Sequence, residues 1–322
     1  MSGYISEKNN LTAPAGLQSR LLPTDAVRGF SGIATCEGRP TGVPADVPGQ
    51  VPMVVDITNK ELYIYVGAWI AMSQDFYTEV QKGNIPGHST VHKYGKNPTV
   101  PNGAFQGVLQ AAAQFYFASA ATTVRVKAGG SSLDVSGGSN AQGVVIDGLD
   151  AEGLRIQETL VLDGATASAV STNLYWRVFR TWVSSVGKYG GSNDDQIIIE
   201  DGAGGNDRIS IEAGEGQSQY ACFSIPSNQT GYLNSVQTYV DAAKAANFIL
   251  YTREQLNDVT APMEAKRLRL SFDGMLGSND HEDKAPNLRL PPWTDIWFEA
   301  EGGGAQTSVS VDFELLLVDN DG

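Results

Sequence analysis

The most regular hydrophobic pattern in the chain lies near its end. Val309, Val311, Phe313, Leu315 and Leu317 are apolar, and Ser308, Ser310, Asp312 and Glu314 alternate with them. A two-residue period is that of a strand with one dry face and one wet face. The period recurs upstream. Leu154, Ile156, Leu160 and Leu162 share one face, interrupted by Glu158, while Arg155, Gln157 and Thr159 share the other. Leu268, Leu270 and Phe272 alternate with Arg267, Arg269 and Ser271. Between Gly143 and Val183, three β-type runs are separated by Gly/Asp turns, with no His or Cys. Turn signals punctuate this half: Asp-Gly at 147–148, 163–164 and 273–274, Gly-Gly at 190–191, DGAGG at 201–205 and NQTG at 228–231. Short strands with such punctuation predict a β-sandwich or jelly-roll-like domain over residues 122–322.

The first part of the chain has a different texture. Prolines 40, 44, 48 and 52 and glycines 38, 42 and 49 crowd one stretch. Proline fixes φ and removes a donor, so this stretch suits neither a helix nor a central strand. Residues 1–52 read as an extended arm, either disordered alone or ordered by lying on a neighbour. Residues 53–121 read as a small α+β region. MVVDI and ELYIYVGAWIAM are β-like runs joined at Thr58-Asn59-Lys60. Leu62, Ile64 and Val66 alternate with Tyr63, Tyr65 and Gly67, so neither face is polar and a strand covered on both sides is expected. Alanine-rich GAFQGVLQAAAQFYFASAA, residues 103–121, predicts a helix. DAAKAA, residues 241–246, predicts a short helical insert. No repeat of fixed period is present.

Composition narrows the function classes. The 322 residues suffice for one large β domain or two ordinary ones. Thirty-six glycines favour tight turns over long helices. The net charge of −14 repels phosphate backbones and anionic membrane surfaces, so neither nucleic acid nor membrane is an expected partner. Cys36 and Cys222 are read as two free thiols. MSGYISEKNNLTAP has no apolar signal core, and the longest apolar run, Leu62–Met72, is too short to span a bilayer.

Each candidate for chemistry has an ordinary structural explanation. His88 and His92 in HSTVH lie four apart, but a zinc-protease helix needs Glu where Ser89 stands, and Gly87 opposes a helix. Asp194, Asp195, Asp201 and Asp207 offer oxygens to calcium, yet the tandem repeat that builds such sites is missing, and turn chemistry explains the Gly, Asn and Asp. Asp280, His281, Glu282 and Asp283 are consecutive, so in extended chain they point apart, and a solvated loop is expected. Terminal DNDG resembles the start of an EF-hand loop without its Glu. Nothing marks Glu158, Glu200 or Glu212 as a glycosidase pair. Nucleophile elbow, Walker and dinucleotide motifs are all missing, and the tract 128–140 lacks the Lys and helix of a phosphate cradle. Tyr63, Tyr65, Trp69, Tyr175, Trp176, Phe179 and Trp182 fall on expected strands. They suit core packing, and also sugar stacking or anchoring of a neighbouring subunit. Trp293 and Trp297 are expected to cap the core. No catalytic, cofactor or metal residue is assigned.

GLDA at 148–151, Glu158-Thr159, LDG at 162–164, YWRVFR at 175–180, GQS at 216–218 and TGYL at 230–233 occur in an order that resembles virion structural proteins of tailed bacteriophages. The resemblance covers about residues 122–318. It implies a non-enzymatic, multicopy particle protein, made in the host cytoplasm and carried in the virion. The expected partners are the major capsid protein and copies of the chain itself, with a trimer as one natural oligomer. Because acidity opposes contact with packaged DNA, the outer face of the shell is the expected address, as a decoration or cement protein. A tail, fibre or host-adhesion component is the alternative. A jelly-roll capsid subunit and a glycan-binding or glycan-hydrolysing sandwich protein stand behind it.

Overall fold

A computed structural model describes residues 34–44, 51–72, 76–110, 114–187, 190–241, 243–282, 288–304 and 306–320, with the side chains of 279–282 excepted. The chain is mainly β and sandwich-like, as the alternation predicts. It divides into two compact units, Met1–Thr90 and Val91–Gly322. The arm, residues 1–52, lies largely outside the described residues. The sequence-drawn boundaries at 52 and 121 do not coincide with the division at Thr90.

The first unit contains one four-stranded sheet in the order β1-β2-β3-β4. Its strands are β1 (Ala34–Cys36), β2 (Met53–Asp56), β3 (Glu61–Tyr65) and β4 (Trp69–Ala71), and a short helix follows, α1 (Phe76–Gln81). Strand β1 belongs to the segment read as an arm, yet it pairs in parallel with β2. The run ELYIYVGAWIAM is not one strand. Gly67, at φ +91°, turns it back on itself, which makes the β3–β4 hairpin. Residues 57–60 form the expected turn between β2 and β3. The Asp56 carboxylate organises it, accepting from the N–H of Gly38 and Thr58 at 2.8 Å and from Asn59 Nδ2 at 2.7 Å. Burial opposes ionisation of Asp56, but these donors hold its carboxyl below the ordinary range.

The second unit is built from the strands that follow: β5 (His88–Val100), β6 (Gln106–Gly107), β7 (Val124–Ala128), β8 (Ala141–Leu149), β9 (Arg155–Val161), β10 (Arg177–Val186), β11 (Ile197–Asp201), β12 (Asp207–Ile211), β13 (Cys222–Ser224), β14 (Gln229–Val240), β15 (Ala245–Arg253), β16 (Arg267–Leu276), β17 (Ser278–Glu282), β18 (Leu288–Leu290), β19 (Asp295–Gly302) and β20 (Thr307–Asp319). Two five-stranded sheets form the larger sandwich. One runs β17-β14-β20-β5 with β18 also on β14; the other runs β13-β19-β15-β16 with β6 also on β19. Val309, Val311, Phe313, Leu315 and Leu317 of β20 point into this core with Phe248, Leu250, Ile296 and Phe298. Each such side chain contributes roughly 1.5–3 kcal/mol by leaving water. A second core lies among two three-stranded sheets, β10-β8-β9 and β12-β11-β7. These strands are an insertion between β6 and β13. Of the one or two sandwiches that the sequence allows, two cores form, and the larger sandwich recruits β5 and β6 from before residue 122.

Strand β19 joins the cores. Ile296, Phe298 and Ala300 serve the larger core and Trp297 the smaller. Both faces of IWFEA are buried, which explains its near-continuous apolar run.

Several local expectations are corrected. The predicted helix over 103–121 is absent among the described residues. Gln106–Gly107 instead pairs with β19, and Val108, Leu109, Phe115 and Ala118 are buried in irregular chain. Packing against β19 overrides the alanines' helix propensity. DAAKAA is likewise a turn that leads into β15, not a helix. Asp147-Gly148 is not a turn but the interior of β8, where a Cβ on Gly148 would stand 2.0 Å from the Arg177 carbonyl oxygen. Asp273-Gly274 is a bulge within β16, opposite the register break at Ala246–Phe248.

Candidate interaction surfaces

The two faces of the first unit's sheet differ in burial, not in polarity. Register places Cys36, Val54, Tyr63, Trp69 and Ala71 on one side, all buried as one small core. On the other side lie Thr35, Met53, Val55, Leu62, Ile64, Ile70 and Met72. Not one of these seven is fully buried, and Met72 is 57% exposed. Val66, Ile57, Val51 and Phe76 add exposed apolar surface in the same unit. Among the described residues this second face is only partly covered, although its composition is that of a covered one. Such a face is a candidate interaction surface, because exposed apolar area costs free energy until something covers it. The sequence revealed apolar residues on both faces. It did not reveal which face the chain itself covers.

In the second unit a polar cluster is sealed where β10 meets β19. Arg177 Nη2 lies 2.9 Å from Asp295 Oδ2 and its Nε lies 3.1 Å from Oδ1. The Ser224 hydroxyl donates to Asp295 at 2.6 Å, and Arg177 Nη1 donates to the Ala118 carbonyl at 2.9 Å. The Phe117 ring stacks 5.5 Å from the guanidinium. Nearby, buried Lys93 donates to the Phe179 carbonyl, and burial pushes its ammonium down to about 8. Burial likewise pushes the Cys222 thiol up to about 12, which keeps it protonated and unreactive at neutral pH. Both cysteines are free, as expected.

The remaining sequence candidates are engaged separately. His92 Nε2 lies 2.9 Å from Asp312 Oδ1, and His88 Nδ1 lies 2.9 Å from the Pro86 carbonyl. HSTVH is the start of β5, not a loop. The backbone N–H groups of Asp194 and Asp195 donate to the Asp134 carboxylate at 2.9 and 2.8 Å, so Asp134 organises that turn. Asp201 accepts from Arg208 Nε at 2.6 Å and from Asn206 at 2.8 Å. Among the described residues, no three His, Cys, Asp or Glu side chains are placed to share a metal. Residues 278–282 form edge strand β17, not the expected loop; Asp283, Lys284 and the final DG lie outside the described residues. Glu158 clamps Thr172 and Asn173, Glu200 holds Arg125 and Lys127, and Glu212 accepts from Gln196.

The aromatics divide by depth. Tyr63, Trp69, Tyr175, Phe179 and Trp297 are buried, with Phe179 4.4 Å from Phe223. Tyr65, Trp176 and Trp182 are only half-buried. Trp293 covers Gly153, where a Cβ would meet the indole at 2.3 Å.

No protein-family model matches this chain, and no curated protein does. Among solved structures it is similar to the infectious bursal disease virus Gx strain, at 11% identity and a TM-score of 0.23, over 73% of this chain and 72% of that one. The same virus's VP2 subviral particle aligns at 11% identity and a TM-score of 0.20, over 84% and 64%. Its T=1 particle aligns at 10% identity and a TM-score of 0.17, over 84% and 66%. These scores lie far below the level at which two chains share a fold.

Proposed function

We propose that this chain is a non-enzymatic structural protein of a tailed-bacteriophage virion, placed on the outside of the capsid shell as a decoration protein. The observation that carries the reading is the open apolar face of Met53, Val55, Leu62, Ile64, Ile70 and Met72. Covering it against a neighbouring subunit contributes less than about 1 kcal/mol for each partly exposed side chain. Copies on a symmetric shell multiply that contribution. The two packed sandwiches of the second unit supply stiffness through their strand ladders and buried cores. A net charge of −14 favours an address away from packaged DNA. The order of short motifs from GLDA to TGYL supports the same reading.

The test is cosedimentation of the purified protein with shells of a tailed-bacteriophage major capsid protein. Binding is expected, and Ile64→Asp with Met72→Asp should abolish it while leaving the circular dichroism spectrum unchanged. Equal binding of the variant would overturn the role of this face. Detection of the protein only in tails, by immunogold labelling of virions, would overturn the address.

A further inference from the structure

We infer that the second unit carries a binding site for a neutral hexopyranoside, in the groove between β10 and the loop before residue 218. The groove holds about 480 Å³ and is lined by Arg180, Trp182, Val183, Glu215, Gly216 and Gln217. That volume falls within the range of about 300–1,000 Å³ typical of small-molecule sites.

Strand β10 sets one wall. Phe179 and Thr181 point inward and are buried, so Arg180 and Trp182 share the outward face. Trp182 stays half-buried there and lines the groove. Among the described residues, no ion pair or hydrogen bond engages the Arg180 side chain, so its guanidinium donors face the groove uncommitted.

The opposite wall is held rigid by buried chemistry. Asn193, only 3% exposed, accepts from the Gly216 N–H at 3.0 Å and donates to the Glu212 carbonyl at 2.8 Å. Gly216 sits at φ +70°, and a Cβ there would meet Ser192 Oγ at 2.7 Å. Backbone bonds from Val183 N to Gly216 O, 2.8 Å, and from Ser218 N to Thr181 O, 2.9 Å, pin the loop to β10. Gln219 steadies the Glu215 carboxylate from behind. The exposed Gln217 amide completes the wall.

The donor and acceptor set defines the ligand. A pyranose ring lays its C–H face on the indole while its hydroxyls reach outward. Arg180 donates to ring or hydroxyl oxygens; Glu215 and Gln217 accept hydroxyl protons. A carboxylate in the wall and a net charge of −14 oppose sulfated or phosphorylated chains, so the sugar is uncharged. The preformed loop lowers the ordering cost of binding.

Saturation-transfer NMR on the full chain, with a panel of methyl α- and β-hexopyranosides, tests this. Transfer to ring C–H protons of at least one sugar is expected at millimolar concentration. Trp182→Ala and Arg180→Gln should each weaken it about tenfold or more, equivalent to about 1.4 kcal/mol. Both variants should keep the wild-type melting temperature; should Trp182→Ala unfold, Arg180→Gln decides. No transfer from any sugar at tens of millimolar, binding unchanged in Arg180→Gln, or binding of heparin in preference to the neutral panel would each overturn the site.

Discussion

Arg177 and Asp295, 118 residues apart, form a buried ion pair where β10 of the inserted sandwich meets β19 of the larger one. Both side chains are almost fully excluded from water, at 7% and 2% exposure. Ser224, Ala118 and Trp176 take up their remaining hydrogen-bonding capacity. Two charges out of water are tolerated only because each satisfies the other. The pair therefore bridges the two sandwiches where they meet.

Removing one member should expose that dependence. Asp295→Ala leaves a buried guanidinium without its counter-charge and is expected to cost about 3–5 kcal/mol. Replacing both, as Arg177→Met with Asp295→Leu, should recover a large part of the loss. Urea unfolding of the three chains checks this, and a double variant no better than the single would contradict it.

Lys93 predicts an alkaline effect of definite sign. Burial lowers its ammonium to about 8, whereas the unfolded chain holds its proton up to the ordinary lysine range. Between these values the unfolded state binds more protons, so stability rises with pH. Below the folded value the penalty is felt in full, about 3 kcal/mol from the size of the shift. Lys93→Met is expected to flatten that alkaline rise. At neutral pH it should stabilise by less than the full penalty, because the Phe179 carbonyl loses its donor. Urea midpoints at about pH 7 and about pH 10 separate the chains.

Glu200 predicts an acid effect of the opposite kind. Burial alone would raise its carboxyl, but hydrogen bonds from Lys127 and Arg125 hold it below the ordinary range. Its contribution is complete above that range and disappears as pH falls through the folded value. Glu200→Gln should cost about 1–3 kcal/mol at neutral pH and show a shallower acid limb. Thermal melts over an acid series are the measurement.

Gly95 lets β5 pass close to residues 108 and 221. A Cβ there would stand 2.2 Å from the Ala221 amide nitrogen and 2.5 Å from the Val108 carbonyl oxygen. Backbone cannot move aside as a flexible side chain can. Gly95→Ala is expected to destabilise by about 1–3 kcal/mol or more in urea unfolding, a large effect for one methyl group.

Strand content was legible because alternation is a local signal. Val309 to Leu317 needs no partner to declare a two-residue period, and all five apolar positions are buried as that period requires. The motifs that suggested chemistry were equally local, and their outcome was not. Asp194 and Asp195 read as turn residues that could also offer oxygens to calcium, and their amides serve Asp134, a residue the sequence did not distinguish. Trp182 stood among seven strand aromatics, and only register separated it from buried Tyr175 and Phe179.

The amino-acid order by itself thus determined strand-rich architecture, turn-rich connections, an acidic surface and two unbridged thiols, since each depends on residue type and near neighbours. The tertiary structure alone decided that the second unit has two cores, that the described part of residues 103–121 is not a helix, and which sheet face of the first unit is the more buried. Those outcomes depend on contacts between residues far apart in the chain, such as Gly107 with Glu299 and Arg177 with Asp295. The free energy of distant pairing outweighs local propensity, and no short window of sequence contains it.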